Sequence, residues 1–238
     1  DRAVLGIEDN KPDAIDAMRA AAAAVPGLSV AALATRYPQG GEKQLIQALL
    51  GRDVPPGRLP LHVGVVVQNV GTAFAAFEAI ARRKPLVERI VTVSGRAIAA
   101  PKNLRVRIGT LVSDVAAACG GTTPDLYKVV VGGPMMGKTL PLLDVPVVKA
   151  TSGLLFMTEA EAGHPRSHPC IRCGRCVAAC PQGLEPCVLA TLGDRHHYDE
   201  VHDTLDCGEC GSCQFVCPAH RPIVHMIRAA KNEHRILQ

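Results

Sequence analysis

Hydrophobic and polar positions alternate along the first third of the chain in blocks that predict helix and strand in turn. Residues 11–24 are strong helix formers with Pro12 in the first turn, and Pro26-Gly27 closes the segment. Residues 29–35 then read as a short strand. Gly40-Gly41 opens a second helix over Glu42–Leu50, which Gly51 ends; after a proline-rich connection, 63–67 is a continuous apolar run of strand length. A helix over 72–83 follows directly on Asn69-Val70-Gly71, so the alternation predicts part of a layered α/β domain.

Beyond it the rhythm changes. Residues 89–94 and 104–108 are predicted strands separated by a loop with Pro101, followed by a helix over 110–119 and a strand over 128–131. That order is β-grasp-like. Turns are expected at 132–134 and 141–146, and 154–157 returns as one more strand before a polar connection over 159–169. The remainder reads as helical, with segments at 185–192, 198–205 and 222–234, an arrangement closer to a helical ferredoxin than to a compact hairpin one. The fold class is therefore α/β and α+β multidomain: a partial α/β domain over 1–86, a β-grasp domain over 87–158 and a helical domain over 159–238.

Composition narrows the function classes. Of the 238 residues 47% are hydrophobic, enough for one or two domains with real cores and not the content of a disordered chain. The formal charge of +4 is spread without a Lys/Arg block or interleaved aromatics, which argues against nucleic acid as a partner. No stretch reaches the roughly 18 uninterrupted apolar residues of a membrane span, since the run over 63–80 is broken by Gln68, Asn69 and Glu78. The chain opens at Asp1 without a methionine and in mid-alternation, so an N-terminal part is expected upstream.

The cysteines carry the chemistry. Cys170, Cys173, Cys176 and Cys180-Pro181 are answered by Cys207, Cys210, Cys213 and Cys217-Pro218, the spacing C-x2-C-x2-C-x3-C-P written twice. Three thiolates so spaced wrap three corners of an iron–sulfur cube, and in two-cluster proteins of this type the cysteine before proline reaches the other cube. Two [4Fe–4S] clusters are expected, one held by Cys170, Cys173, Cys176 and Cys217, the other by Cys207, Cys210, Cys213 and Cys180. Neighbouring clusters make a one-electron wire. Gly174 and Gly211 permit positive φ and close approach of backbone N–H groups to sulfur. Structural zinc favours two separated cysteine pairs, and a disulfide framework does not concentrate its cysteines in one segment without a signal peptide.

Other features weigh less. Gly40-Gly41-Glu42 puts glycines where a loop enters a helix, a place suited to an anion, although any α/β protein needs glycine at turns. Asn69 and Thr72 sit at a turn where they either hydrogen-bond a polar ligand or cap the helix. The run Gly132-Gly133-Pro134-Met135-Met136-Gly137 lacks the P-loop spacing and reads as a structural turn. Cys119 reads as a buried small hydrophobe, and Cys187 as a non-ligand that is the first substitute should one assigned ligand fail. The histidines at 164, 168, 196, 197, 202, 220, 225 and 234 follow no metal-binding spacing and are expected to be solvated, and His62 stands isolated from them. No constellation points to hydrolysis.

Together, Ile7-Glu8-Asp9-Asn10-Lys11-Pro12, the segment from Tyr37 to Leu45, the segment from Val65 to Thr72 and the double cysteine run resemble the C-subunit family of Rnf electron-transport complexes, from about residue 4 to residue 231. The resemblance implies the latter part of a flavin-site α/β domain, a soluble-ligand-binding β-grasp domain and two [4Fe–4S] clusters. The family is related to the flavin-carrying part of respiratory complex I. It implies electron exchange among NAD(H), FMN and the clusters, in a peripheral position at the cytoplasmic side of the bacterial inner membrane. Other subunits of that complex would be partners, ferredoxin the other redox partner, and the membrane subunits would link electron flow to sodium or proton translocation. Gly40, Gly41, Glu42, Asn69 and Thr72 fall on the flavin- and nicotinamide-side positions. Lys43 and Gly71 stand where the complex I relative has glutamates, and the upstream glycine-rich flavin loop lies outside these residues. The resemblance thus implies a segment that binds its clusters and holds FMN and NAD(H) poorly or not at all. A relay or docking module without its own substrate, or a cobalamin-reductase-like flavoprotein of a bacterial microcompartment, are the alternative readings.

Overall fold

In the computed structural model, residues 2–55, 57–163, 165–197 and 202–237 are described. The first half contains β1 (Ala3–Glu8), α1 (Pro12–Ala22), β2 (Leu28–Leu33), α2 (Glu42–Leu50), a 3-10 turn over Pro60–Val63, α3 (Val70–Arg82), β3 (Glu88–Ser94), β4 (Lys102–Arg107) and α4 (Val112–Ala118). The second contains β5 (Leu126–Val131), β6 (Lys138–Leu140), β7 (Gly153–Thr158), α5 (Glu159–Ala162), α6 (Arg175–Ala178), α7 (Pro186–Asp194), a 3-10 turn over His202–Asp206, α8 (Ser212–Phe215) and α9 (Ile223–Leu237). Two compact units emerge: Asp1–Gln68 with Arg172–Gly208 and Ile223–Gln238, and Asn69–Ile171 with Glu209–Pro222.

In the first unit, β1 and β2 pair in parallel from Ala3 opposite Leu28 to Glu8 opposite Leu33, with α1 as the crossover. Pro12 starts α1 where no amide partner is needed, and Ile15 and Ala22 are its buried residues. The β1 strand is not legible in the sequence; Gly6 interrupts its apolar pattern, and a Cβ there would come 2.9 Å from Leu45 of α2. The carboxyl ends of both strands are tied by Asp9, whose Oδ1 accepts from Thr35 N at 3.0 Å and Thr35 Oγ1 at 2.6 Å. Those bonds, the hydroxyl first, hold the Asp9 carboxyl below its ordinary value of 3.8.

The strand expected over 63–67 is not formed. Pro60 starts a 3-10 turn, Gly64 follows at φ 69°, and residues 65–68 have no regular structure, with Val66 78% exposed. An apolar run becomes a strand only against a ladder partner, and none pairs with it among the described residues. Further along, α7 and α9 cross closely: a Cβ on Gly193 would lie 2.8 Å from the Ala230 Cβ and 3.1 Å from the Met226 carbonyl. Leu189, Ala190, Ile227 and Ala230 are buried. The expected helix over 198–205 is a 3-10 turn over His202–Asp206, and 198–201 lie outside the described residues.

In the second unit a five-stranded sheet runs in the order β4-β3-β7-β5-β6, with β3 and β7 parallel and the other pairs antiparallel. Its core joins Val91, Val93, Leu154 and Phe156 of the sheet to Val112 and Val115 of α4. Cys119 is fully buried there, as expected. Gly95 has φ 110°, and a Cβ at that position would overlap the Phe156 carbonyl. The short β6 strand lies beyond the sequence pattern, and so does α5, which a capping box of Thr158 and Glu161 nucleates in place of a plain polar connection. No residue of α3 is buried; Val70, Phe74, Phe77 and Ile80 are all exposed along it. Among the described residues no helix is long and apolar enough to cross a membrane.

Candidate metal centres and loops

The two cysteine runs share one backbone shape. Arg172 and Glu209, each just before the second cysteine of its run, both have φ 54°; Gly174 (φ 73°) and Gly211 (φ 85°) follow in the left-handed region. Each glycine caps a one-turn helix, α6 or α8, in which the third cysteine is buried: Cys176 and Cys213 are both 7% exposed. The fourth cysteine closes each loop identically. Cys180 N donates to Val177 O at 3.0 Å and Cys217 N to Gln214 O at 3.2 Å. Their carbonyls then accept from Gly183 N at 3.3 Å and His220 N at 3.1 Å, at residues again of positive φ.

Left-handed Arg, Glu and His each cost of order 1 kcal/mol or more and persist where something else over-determines them. Two separate segments adopting the same strained sequence of conformations around the same sulfur spacing is what a repeated inorganic ligand demands. The donor set is all thiolate, which suits iron–sulfur chemistry. Among the described residues, no three His, Cys, Asp or Glu side chains gather as ligands of one metal ion. A cube asks for something else: four thiolates, each on its own iron.

The surroundings of the two runs differ. Gly174 has nothing within 4 Å of a notional Cβ, whereas one on Gly211 would lie 2.9 Å from the Met135 carbonyl, so the Gly132–Gly137 loop seats on the second run. Ser212 Oγ lies 3.5 Å from Cys210 Sγ in a hydrogen bond, while the corresponding residue of the first run is Arg175. Lys231, buried on α9, donates from Nζ to the Cys207 carbonyl at 2.8 Å. Burial holds the Cys176 thiol above its ordinary value, and a hydrogen bond with Cys187 adds to this. Cys187, expected as a non-ligand, is thus a neighbour of an assigned one. His234 corrects another expectation: it is buried at 4% exposure, whereas His62, His168, His196, His197, His220 and His225 are exposed. The placement of His164 and the side chain of His202 lie outside the described residues.

Where the loop enters α2, Gly41 is the N-cap residue without a side-chain cap, its amide donating to Pro38 O at 2.7 Å; Gly40 and Glu42 are exposed beside it. Lys43 Nζ lies 3.9 Å from Asp206 Oδ1, which also accepts from Gly57 N at 3.2 Å. The pair ties the start of α2 to the residue before Cys207, a link between positions too far apart in sequence to be read there. In the second unit, Asn69 caps α3 by accepting from Gly71 N at 2.9 Å, and Thr72 N donates to Asn69 O at 2.9 Å. The capping role of Asn69 is therefore realised.

Three family models match in sequence order: the Nuo51 FMN-binding domain over residues 1–78, the SLBB domain over 90–139 and the 4Fe-4S dicluster domain over 169–220. The chain is 48% identical over 99% of its length to the C subunit of the proton-translocating ferredoxin:NAD(+) oxidoreductase complex of Clostridium ljungdahlii, covering 52% of that protein. It is 45% identical over 98% of its length to the C subunit of the Na(+)-translocating ferredoxin:NAD(+) oxidoreductase complex of Acetobacterium woodii, covering 53% of it. To the C subunit of the ion-translocating oxidoreductase complex of Serratia proteamaculans it is 45% identical, with 97% of the chain and 33% of the relative covered. Over nearly all of its length the chain is thus similar to the C subunits of ion-translocating ferredoxin:NAD(+) oxidoreductase complexes. The chain spans about half the length of the first two of these relatives and a third of the Serratia one. An NAD+-reducing [NiFe]-hydrogenase in the H2-reduced state has the same fold at TM-score 0.55 and 19% identity, over all of this chain and 48% of the hydrogenase chain.

Proposed function

We propose that the protein passes electrons between NAD(H), FMN and two [4Fe–4S] clusters as the C subunit of an ion-translocating ferredoxin:NAD oxidoreductase. The observation that carries this reading is the repeated cysteine loop with its shared left-handed residues. In it, Cys170, Cys173, Cys176 and Cys217 hold one cluster, and Cys207, Cys210, Cys213 and Cys180 the other. FMN supplies the exchange of a hydride for single electrons, and the clusters carry those electrons one at a time. The chain's part is to hold thiolates deprotonated, keep the ligand loops rigid and set the polarity around each sulfur. Gly40, Gly41, Glu42, Asn69 and Thr72 stand on the nucleotide side, supported by the FMN-binding family model over residues 1–78.

The five-stranded sheet with α4 across it fits a β-grasp domain over 87–158, between a partial flavin-site domain over 1–86 and a helical di-cluster domain over 159–238. The other subunits of the complex and ferredoxin are the partners in this reading, with the segment peripheral at the cytoplasmic side of the membrane. Anaerobic iron, sulfide and flavin analysis with electron paramagnetic resonance tests it. Two reducible cubane signals are expected, and Cys180→Ala should disturb the centre held by Cys207, Cys210 and Cys213 while the other survives. Loss only of the centre held by Cys170, Cys173 and Cys176 would reject the crossed ligation. Absence of flavin and of NADH-dependent reduction in the full-length polypeptide would favour a relay without its own substrate.

A further inference from the structure

The two cysteine loops are near copies in backbone, so a difference confined to one of them bears on what distinguishes the two centres. At the position between the second and third cysteines that follows glycine, the first run carries Arg175 and the second Ser212. The Ser212 hydroxyl is 3.5 Å from Cys210 Sγ, within hydrogen-bond range for sulfur, and Ser212 is the first residue of α8, so its backbone is held by the turn that Gly211 caps. Gly211 in turn lies close under the Gly132–Gly137 loop, since a Cβ on it would come 2.9 Å from the Met135 carbonyl.

As free groups the thiol donates to the hydroxyl; once Cys210 ligates iron its sulfur is a thiolate with no proton, and the only remaining arrangement has Ser212 O–H donating to sulfur. Adding one electron to a thiolate-ligated cube increases the negative charge on its sulfurs. A hydroxyl donor therefore stabilises the reduced state more than the oxidised one, because hydrogen bonds to charged acceptors are the stronger. The proton stays on Ser212 throughout, and no bond is made or broken.

We propose that Ser212 is a positioning residue that raises the reduction potential of the cluster ligated by Cys210, the Gly132–Gly137 loop holding it in register through Gly211. This rests on the cluster reading above. The test is a potentiometric titration of the anaerobically purified full-length protein, followed by electron paramagnetic resonance, for wild type, Ser212→Ala and Ser212→Thr. Alanine is expected to lower the one-electron reduction equilibrium of one centre by about three- to tenfold, tenfold being 59 mV. Threonine, which keeps the hydroxyl, should restore most of it, and the other centre should not move. Unchanged potentials with full iron content would overturn the role of Ser212. A shift that threonine fails to rescue would also overturn it, marking a packing effect of the side chain. Wild-type protein without cubane signals would instead overturn the cluster reading, and the inference with it.

Discussion

Asp9 shows how a single exposed side chain closes an element pair. Its Oδ1 collects the amide and the hydroxyl of Thr35 at the carboxyl ends of two parallel strands, and both bonds favour the ionised carboxylate. The folded value lies below the unfolded one, so the stabilisation is fully present above the ordinary 3.8 and is lost as pH falls through the depressed folded value. Asp9→Asn is expected to lower the melting temperature at neutral pH and to flatten its decline between about pH 5 and pH 3; parallel declines would refute the assignment. At this scale the sequence is legible where chemistry is periodic. Eight cysteines in two identical spacings announce their ligand, whereas Lys43 with Asp206 and Lys231 with Cys207 are pairs that only the fold brings together. The burial of His234 is hidden for the same reason, since the packed face of α9 is set by its tertiary partners.

Elements bounded by their own residues are readable, and those defined by a partner are not. The α2 helix runs over Glu42–Leu50 as its sequence predicts, because Gly41 is extended at one end and Gly51 turns left-handed at φ 62° at the other. Residues 63–67 are a continuous apolar run and form no strand, because hydrophobicity supplies a buried face and not a ladder. The converse case is the α7–α9 crossing, where Gly193 is the contact itself. Gly193→Val puts branched carbons against the Ala230 Cβ and the Met226 carbonyl, and should cost about 1–3 kcal/mol despite the poor helix propensity of glycine. Denaturant titration checks this: a midpoint equal to wild type would mean the helices separate without penalty. Because α9 also carries Lys231, whose Nζ donates to the Cys207 carbonyl, the same variant should retain less iron in the centre proposed for Cys207.

Across the whole molecule, the order of the three family models matches the order in which the sequence changes rhythm, and the sheet and the cysteine loops differ in what holds them. The five-stranded sheet has an apolar core of its own, with Val91, Val147 and Phe156 fully buried. The cysteine loops hold Arg172, Glu209 and His220 in left-handed conformations, which in the reading proposed above a bound cluster would offset. Removing iron under anaerobic conditions should therefore unlock the loops and leave the sheet. Hydrogen exchange can resolve this: the amides of Cys180, Gly183, Cys217 and His220 are expected to lose protection by at least tenfold, about 1.4 kcal/mol of local stability, while those of β5 and β7 keep theirs. Uniform loss of protection would mean that the clusters organise the sheet as well. Unchanged loops would mean that the left-handed residues are held by the polypeptide alone, and the repeated strain would then need a cause other than iron.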